Sequence, residues 1–212
     1  MEQILVYADS LSWGIIPQSR QRQPFDRRWP GVMESELLSQ GLKVRVIENC
    51  LNGRRSAWSD PFKAGRDGSE GLAQVIEMHS PLKLVIIMLG HNDFQNTHDN
   101  DVWLSAQGIA KLIGIIRQAP IEPGMPVPEI LVIAPPQIMQ PKGAIAPKFS
   151  GAAARMQGYA EALAAMTADQ GVDFFDSNSL LGPSQVDGIH LDEAQHPLLG
   201  RAVAARLRER FF

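Results

Sequence analysis

LVIIMLGHND, residues 84–93, opens on an unbroken apolar run and stops at a glycine followed by His91, Asn92 and Asp93. A strand with one wet face alternates apolar and polar residues, so a short run without alternation reads as a strand covered on both faces, as parallel strands flanked by helices are. Comparable runs recur at Ile4 to Ala8, Val44 to Glu48, Ile130 to Ala134 and Val172 to Phe175. Between them the spacing predicts helices at about Trp29 to Gln40, Ser69 to His79, Asp101 to Gln118 and Ala152 to Gln170, with a last one from Glu193 to Arg210. Ile109, Leu112, Ile113 and Ile116 form one apolar stripe; Met156, Tyr159, Ala160, Leu163 and Ala164 form another, and both are read as core packing. Strand–helix alternation along the chain predicts an α/β sandwich with a mostly parallel sheet, and right-handed crossovers then set helices on both faces.

The 212 residues suit one domain, expected to span 1–212. A hydrophobic fraction of 44%, a charged fraction of 20% and a net charge of −3 are ordinary for a globular protein, and they argue against a nucleic-acid or anionic-membrane partner. The single cysteine, Cys50, excludes an intrachain disulfide and reads as a small core residue rather than a nucleophile. Met1-Glu2-Gln3 lacks the basic region of a secretory signal, and no apolar run approaches the ~20 residues that span a bilayer. The expectation is a soluble, cytoplasmic protein. Three segments exceed simple connections: Leu51 to Gly68, Ala119 to Pro128 and Pro135 to Gly151. Loops of this length tend to be lids, binding walls or subunit contacts.

Ligands of open α/β sheets bind beyond the carboxyl ends of the strands. There the chain carries Asp9-Ser10 after the first run, Asn49 and Asn52-Gly53 after the second, and Gly90-His91-Asn92-Asp93 after the third. Ahead of the last helix stands Asp187-Gly188-Ile189-His190. An aspartate three residues before a histidine can reach its Nδ1–H within one turn, leaving Nε2 to take a proton from a serine. The Ser10 N–H, the Gly53 N–H and the Asn92 amide are candidate donors to an oxyanion. Each motif alone also has a plain structural reading: an N-cap, a tight turn, a surface pair, or Asn92 or Asp93 capping the following helix. Their order along the chain ties them together. His79, His91, His98 and His196 are weaker base candidates, the last as a solvated partner of Asp192.

With these four blocks in hand, YADSLSWG, ENCLNGRRS, GHND and DGIH, the chain resembles the SGNH (GDSL-type) hydrolases along nearly its full length. RRWPGV, EILVIAPP, FFDSNS and VDGIHLDEA are similar to segments of the bacterial arylesterase and acyltransferase-like branch. The resemblance implies a flavodoxin-like α/β/α sandwich with five parallel strands. It implies Ser10 as nucleophile, Asp187 and His190 completing a triad, and an oxyanion hole of Ser10, Gly53 and Asn92. It implies hydrolysis, or transfer to another alcohol, of small acyl esters without metal or organic cofactor, often by a homo-oligomer. Where the family has glycine before the aspartate, this chain has Ala8. Ordinary β geometry there accommodates the methyl group, whereas a positive φ would strain it by about 1 kcal/mol.

Trp13 has two readings, a wall of the substrate pocket or a helix-face residue packed on the core. Trp58 reads as an entrance wall or subunit contact. Arg54 and Arg55 read as exposed loop residues without a substrate role. Phe62, Met139, Ile145 and Phe149 place apolar surface in the long loops and predict a homo-oligomer. Two other functions compete: a carbohydrate or thioester deacylase with the same triad, and a non-catalytic flavodoxin-like binding module.

Overall fold

The computed structural model describes residues 1–212. The chain runs β1 (Glu2–Ala8), α1 (Ser10–Trp13), α2 (Trp29–Ser39), β2 (Val44–Cys50), α3 (Leu72–His79) and β3 (Leu84–Met88). It continues through α4 (Val102–Arg117), β4 (Glu129–Ala134), α5 (Ala152–Arg155), α6 (Tyr159–Gln170), β5 (Asp173–Asp176) and α7 (Gln195–Phe211). Short 3-10 turns follow β3 at His91–Phe94, precede α5 at Gly143–Phe149 and follow β5 at Ser177–Ser179. The five strands form one sheet in the order β2-β1-β3-β4-β5, and every pair is parallel. This is the expected flavodoxin-like three-layer sandwich.

Successive strand residues point to opposite faces, and the core divides accordingly. Leu5, Tyr7, Val85, Ile87, Ile130 and Val132 pack with residues of α3, α4 and α6 on one face. Ile4, Val6, Leu84, Ile86, Leu131 and Ile133 pack with α2 and α7 on the other. The unbroken run at 84–88 is therefore buried on both sides, with β3 in the middle of the sheet. The α4 stripe of Ile109, Leu112, Ile113 and Ile116 is buried as expected, each side chain contributing roughly 2 kcal/mol of apolar burial.

Several boundaries differ from the sequence reading. Backbone pairing carries β1 back to Glu2 and β2 on to Cys50, past the apolar residues that mark them. β3 ends at Met88 rather than Leu89, and β5 is shifted one residue on, a half-buried edge strand rather than a covered one. α3 starts at Leu72 because the Asp67 carboxylate binds the Ser69 N–H and hydroxyl, closing a turn first. The expected helix Ala152–Gln170 is two helices: the chain leaves α5 at Met156, and Gly158, at φ 87°, caps α6. α7 begins at Gln195 and runs to Phe211. Ala8 is fully buried and ends β1 in ladder register with Cys50 and Met88, and its φ is not positive. The methyl group sits in ordinary strand geometry. No helix is long and apolar enough to cross a membrane.

Candidate active site

The turns at the carboxyl ends of β1, β2 and β3 meet the loop before α7. Asp9 caps α1: its Oδ1 accepts the Leu11 N–H at 2.9 Å, which presents Ser10 at the first helical position. Across the sheet, Asp187 Oδ1 accepts the N–H groups of Ile189 and His190, both at 2.9 Å, curling the loop into one turn. That turn brings Asp187 Oδ2 within 2.7 Å of His190 Nδ1 and sets His190 Nε2 3.2 Å from Ser10 Oγ. Burial pushes the Asp187 carboxyl up, but the His190 ring and the two backbone N–H groups outweigh it and bring it to about 2. Asp187 is thus ionised at neutral pH and holds the Nδ1–H tautomer, leaving Nε2 to accept the Ser10 hydroxyl proton.

Beside Ser10 lies a cavity of about 80 Å³ bordered by Gly53, Asn92, His190, Ile15 and Ile189. The Ser10 and Gly53 backbone N–H groups have no acceptor within the protein. Gly53 has φ 84°, a conformation that suits glycine, and nothing lies closer than 3.9 Å to where a Cβ would be. Gly90, at φ 118°, is required for a second reason: a Cβ there would stand 2.2 Å from the Tyr159 hydroxyl. The absence of a side chain lets the Gly90 turn pack on Tyr159 and lifts Asn92 to the cavity.

Asn92 is more constrained than the sequence suggests. Its Nδ2 donates to Asp9 Oδ2 at 2.9 Å and to the Arg54 carbonyl at 3.1 Å, while its Oδ1 accepts from Gln95 Nε2 at 2.5 Å. An oxyanion at this position would have to share one of those two hydrogens. Asp9 is fully buried, and burial raises its carboxyl to about 7 despite the Leu11 N–H, Arg54 and Asn92. Asp93 is no helix cap: it accepts the Ser56 N–H and the hydroxyls of Ser56 and Ser105, tying the long loop and α4 to the 91–94 turn. α4 is capped by Asp101.

Other expectations need correction. Arg54 and Arg55 are buried, not exposed. Arg54 donates to the Ala8 carbonyl at 3.0 Å and to the Asn49 side chain at 2.7 Å, and lies over the Tyr7 ring at 3.9 Å. Arg55 donates to Gln95 at 2.8 Å and Thr97 at 2.5 Å and pairs with Asp60 at 3.7 Å. Both brace the loop that carries Gly53. Trp13 does not border the cavity; the Arg22 guanidinium covers its ring at 4.8 Å, and Ile15, two residues on, takes the cavity wall. Trp58 packs obliquely on His98. His196 is buried against the Trp29 N–H, well away from the solvated pairing expected with Asp192, and burial brings it to about 4. His91 likewise falls to about 4 through burial and contacts the Pro136 carbonyl. Burial pushes the Cys50 thiol up, as suits an inert residue. No cluster of three metal-ligating side chains is present. A larger cavity, about 460 Å³, lies at the opposite end of the sheet among Lys83, Arg117, Glu129 and Asp173 and touches none of these groups.

The profile of the GDSL-like lipase/acylhydrolase family matches residues 9–198, from the aspartate before Ser10 to the first turn of α7. The chain belongs to this family. It is therefore an ester-hydrolysing enzyme. Among solved structures it is similar to the inhibitor-bound aryl esterase of M. smegmatis, at 31% identity over 99% of both chains with a TM-score of 0.93. It is also similar to Est24, a carbohydrate acetylesterase from Sinorhizobium meliloti, at 30% identity over 100% of both chains with a TM-score of 0.92. A lipase/acylhydrolase from Enterococcus faecalis, 17% identical over 100% of this chain and 98% of its own, shares the fold at a TM-score of 0.68. A comparison with curated protein sequences finds no significant match.

Proposed function

We propose that this GDSL-type enzyme is a serine esterase that cleaves small carboxylic esters through an acyl-enzyme on Ser10. The observation that carries the reading is the unbroken chain from Asp187 Oδ2 to His190 Nδ1 at 2.7 Å and from His190 Nε2 to Ser10 Oγ at 3.2 Å. His190 takes the Ser10 proton as Oγ bonds to the ester carbonyl carbon. The tetrahedral oxyanion is held by the free N–H groups of Ser10 and Gly53, with Asn92 contributing a shared hydrogen. Collapse breaks the bond to the alcohol, which leaves with the proton from His190. Water, deprotonated by His190, then attacks the acyl-enzyme and releases the acid and Ser10. A second alcohol in place of that water yields a new ester, so transesterification needs no additional group.

A cavity of about 80 Å³ favours short acyl chains, since a water-sized group needs roughly 10–15 Å³ by this measure. The test is a panel of p-nitrophenyl esters of rising chain length, run on the wild type and Ser10→Ala. Turnover should be greatest for acetate and propionate and absent in the variant; equal turnover by the variant would remove Ser10 from the mechanism.

Deacylation of an acetylated sugar is the second reading, favoured by the similarity to the Sinorhizobium meliloti carbohydrate acetylesterase. It uses the same triad and is separated by comparing acetylated sugars with aryl acetates. We also infer a homo-oligomer. Phe62 is 86% exposed and Trp103 63%, large apolar side chains that a subunit contact would cover. Ile145 and Phe149 do not add to that surface, because Phe149 is buried and Ile145 borders the Ser10 cavity.

A further inference from the structure

The cavity beside Ser10 carries charge of one sign at its rim. Arg20, Lys63 and Lys148 border it, and no aspartate or glutamate does. Arg20 and Lys63 are exposed and Lys148 is half-buried, while Ser10, Asn92 and His190 are buried, so the cations stand on the solvent side of the triad. The Arg20 and Lys63 side chains form no hydrogen bond or ion pair within the protein. Lys148 Nζ lies 3.6 Å from Asp60 Oδ2, but the buried Arg55 guanidinium claims the same oxygen at 3.7 Å. Nearby Arg66 donates only to the backbone carbonyls of Asn52 and Ala64. Asp60 is thus shared between Arg55 and Lys148, and the cavity's three cations face no carboxylate on its lining, in a chain whose net charge is −3, so the excess is local.

Two further observations agree. Burial lowers the Lys63 amine, and Arg66, Lys148 and Arg20 lower it further while Asp60 alone opposes them. The turn that presents Arg20 holds Gln18 at φ 71° and Arg20 at φ 58°, and backbone of this kind in residues other than glycine tends to cluster at ligand clamps.

We propose that the esters taken by this site carry an anionic group on their alcohol portion, a carboxylate, sulfate or phosphate, and that Lys63, Lys148 and Arg20 bind it. A short acyl group seated against Ser10, beside Gly53 and Asn92, occupies one part of this cavity. The alcohol portion then faces the part of the cavity lined by the three cations. An uncompensated positive rim raises the local concentration of anionic substrates and disfavours cationic ones. The inference deepens the esterase reading and rests on it.

The test compares 4-acetoxybenzoate with its neutral methyl ester on the wild type, on the double variant Lys63→Gln, Lys148→Gln, and on the double variant Lys63→Arg, Lys148→Arg. The readout is the ratio of kcat/KM for the anionic ester to that for the neutral one, compared between proteins so that intrinsic leaving-group reactivity cancels. The ratio should fall roughly tenfold in the glutamine variant, as the loss of two close charges in a partly solvated rim implies, and be retained in the arginine variant. In the wild type it should shrink several-fold between about 20 mM and about 0.5 M NaCl. 4-Acetoxyphenyl sulfate and phosphate, run alongside, rank the three oxyanions. If the wild type turns over the neutral ester, Ser10→Ala does not, and the ratio is the same in all three proteins, the anionic specificity is overturned and the esterase reading stands. If neither ester is turned over, both fall.

Discussion

At the residue scale the site depends on two carboxyl groups whose surroundings push them apart. Asp187 is held at about 2, below its value of roughly 4 in an unfolded chain. The stability it contributes is therefore present above pH ~4 and is lost as the pH falls towards 2. Asp187→Asn keeps an oxygen for the Ile189 and His190 N–H groups but turns an amide N–H towards Nδ1, favouring the wrong tautomer. Ester hydrolysis should fall by about 10⁴-fold, and the thermal midpoint at neutral pH should drop by the stability the ionised carboxylate contributes, a loss that disappears near pH 2; kinetics and melting curves on the same sample would check both. Asp9 behaves oppositely: raised to about 7 by burial, it favours the folded state below pH ~4 and loses that contribution as the pH rises through 7. Urea unfolding at pH 5 and pH 8 should show a loss of stability in the wild type that is reduced in Asp9→Asn. Ser10, Gly53, Asn92, Asp187 and His190, which the fold brings together, each stand in a short local pattern that the sequence displays. The Asp9–Asn92 contact, 83 residues apart in the chain, is not displayed there, nor is the burial of Arg54 and Arg55, because those depend on partners that only the fold assembles.

At the element scale, strands and helices were readable wherever one apolar period runs uninterrupted. β3 and α4 are the clear instances. What the pattern missed is where backbone geometry overrides composition: Gly158 divides one apparent helix into α5 and α6, and the Asp67 turn delays α3. Leu112 is fully buried on α4 against the sheet, and Leu112→Ala should destabilise the protein by about 2–5 kcal/mol in denaturant titration while leaving the chemistry of the site intact. Gly90→Ala acts differently, because its Cβ would meet Tyr159 and its φ is positive. The displaced turn carries Asn92, so under the proposed mechanism kcat should fall by about 10²-fold, the scale on which losing one oxyanion donor is felt. Steady-state kinetics paired with a melting curve separates the two variants: the first loses stability, the second loses rate as well.

At the scale of the whole molecule, the parallel sheet gathers the turns after β1, β2 and β3 at one end and the loop before α7 closes over them. Family membership and the esterase class follow from that assembly together with the match over residues 9–198. Assembly into oligomers belongs to this scale too: light scattering across the micromolar range should report more than one subunit, and Phe62→Asp should weaken that association if the exposed ring is a contact. The central claim, that Ser10 is the nucleophile activated by His190, is tested most directly by intact-mass and peptide mapping after brief exposure to a fluorophosphonate. A single adduct on Ser10, formed much more slowly in His190→Ala, is the expected result. An adduct on another residue, or no adduct on a protein that still hydrolyses esters, would contradict it.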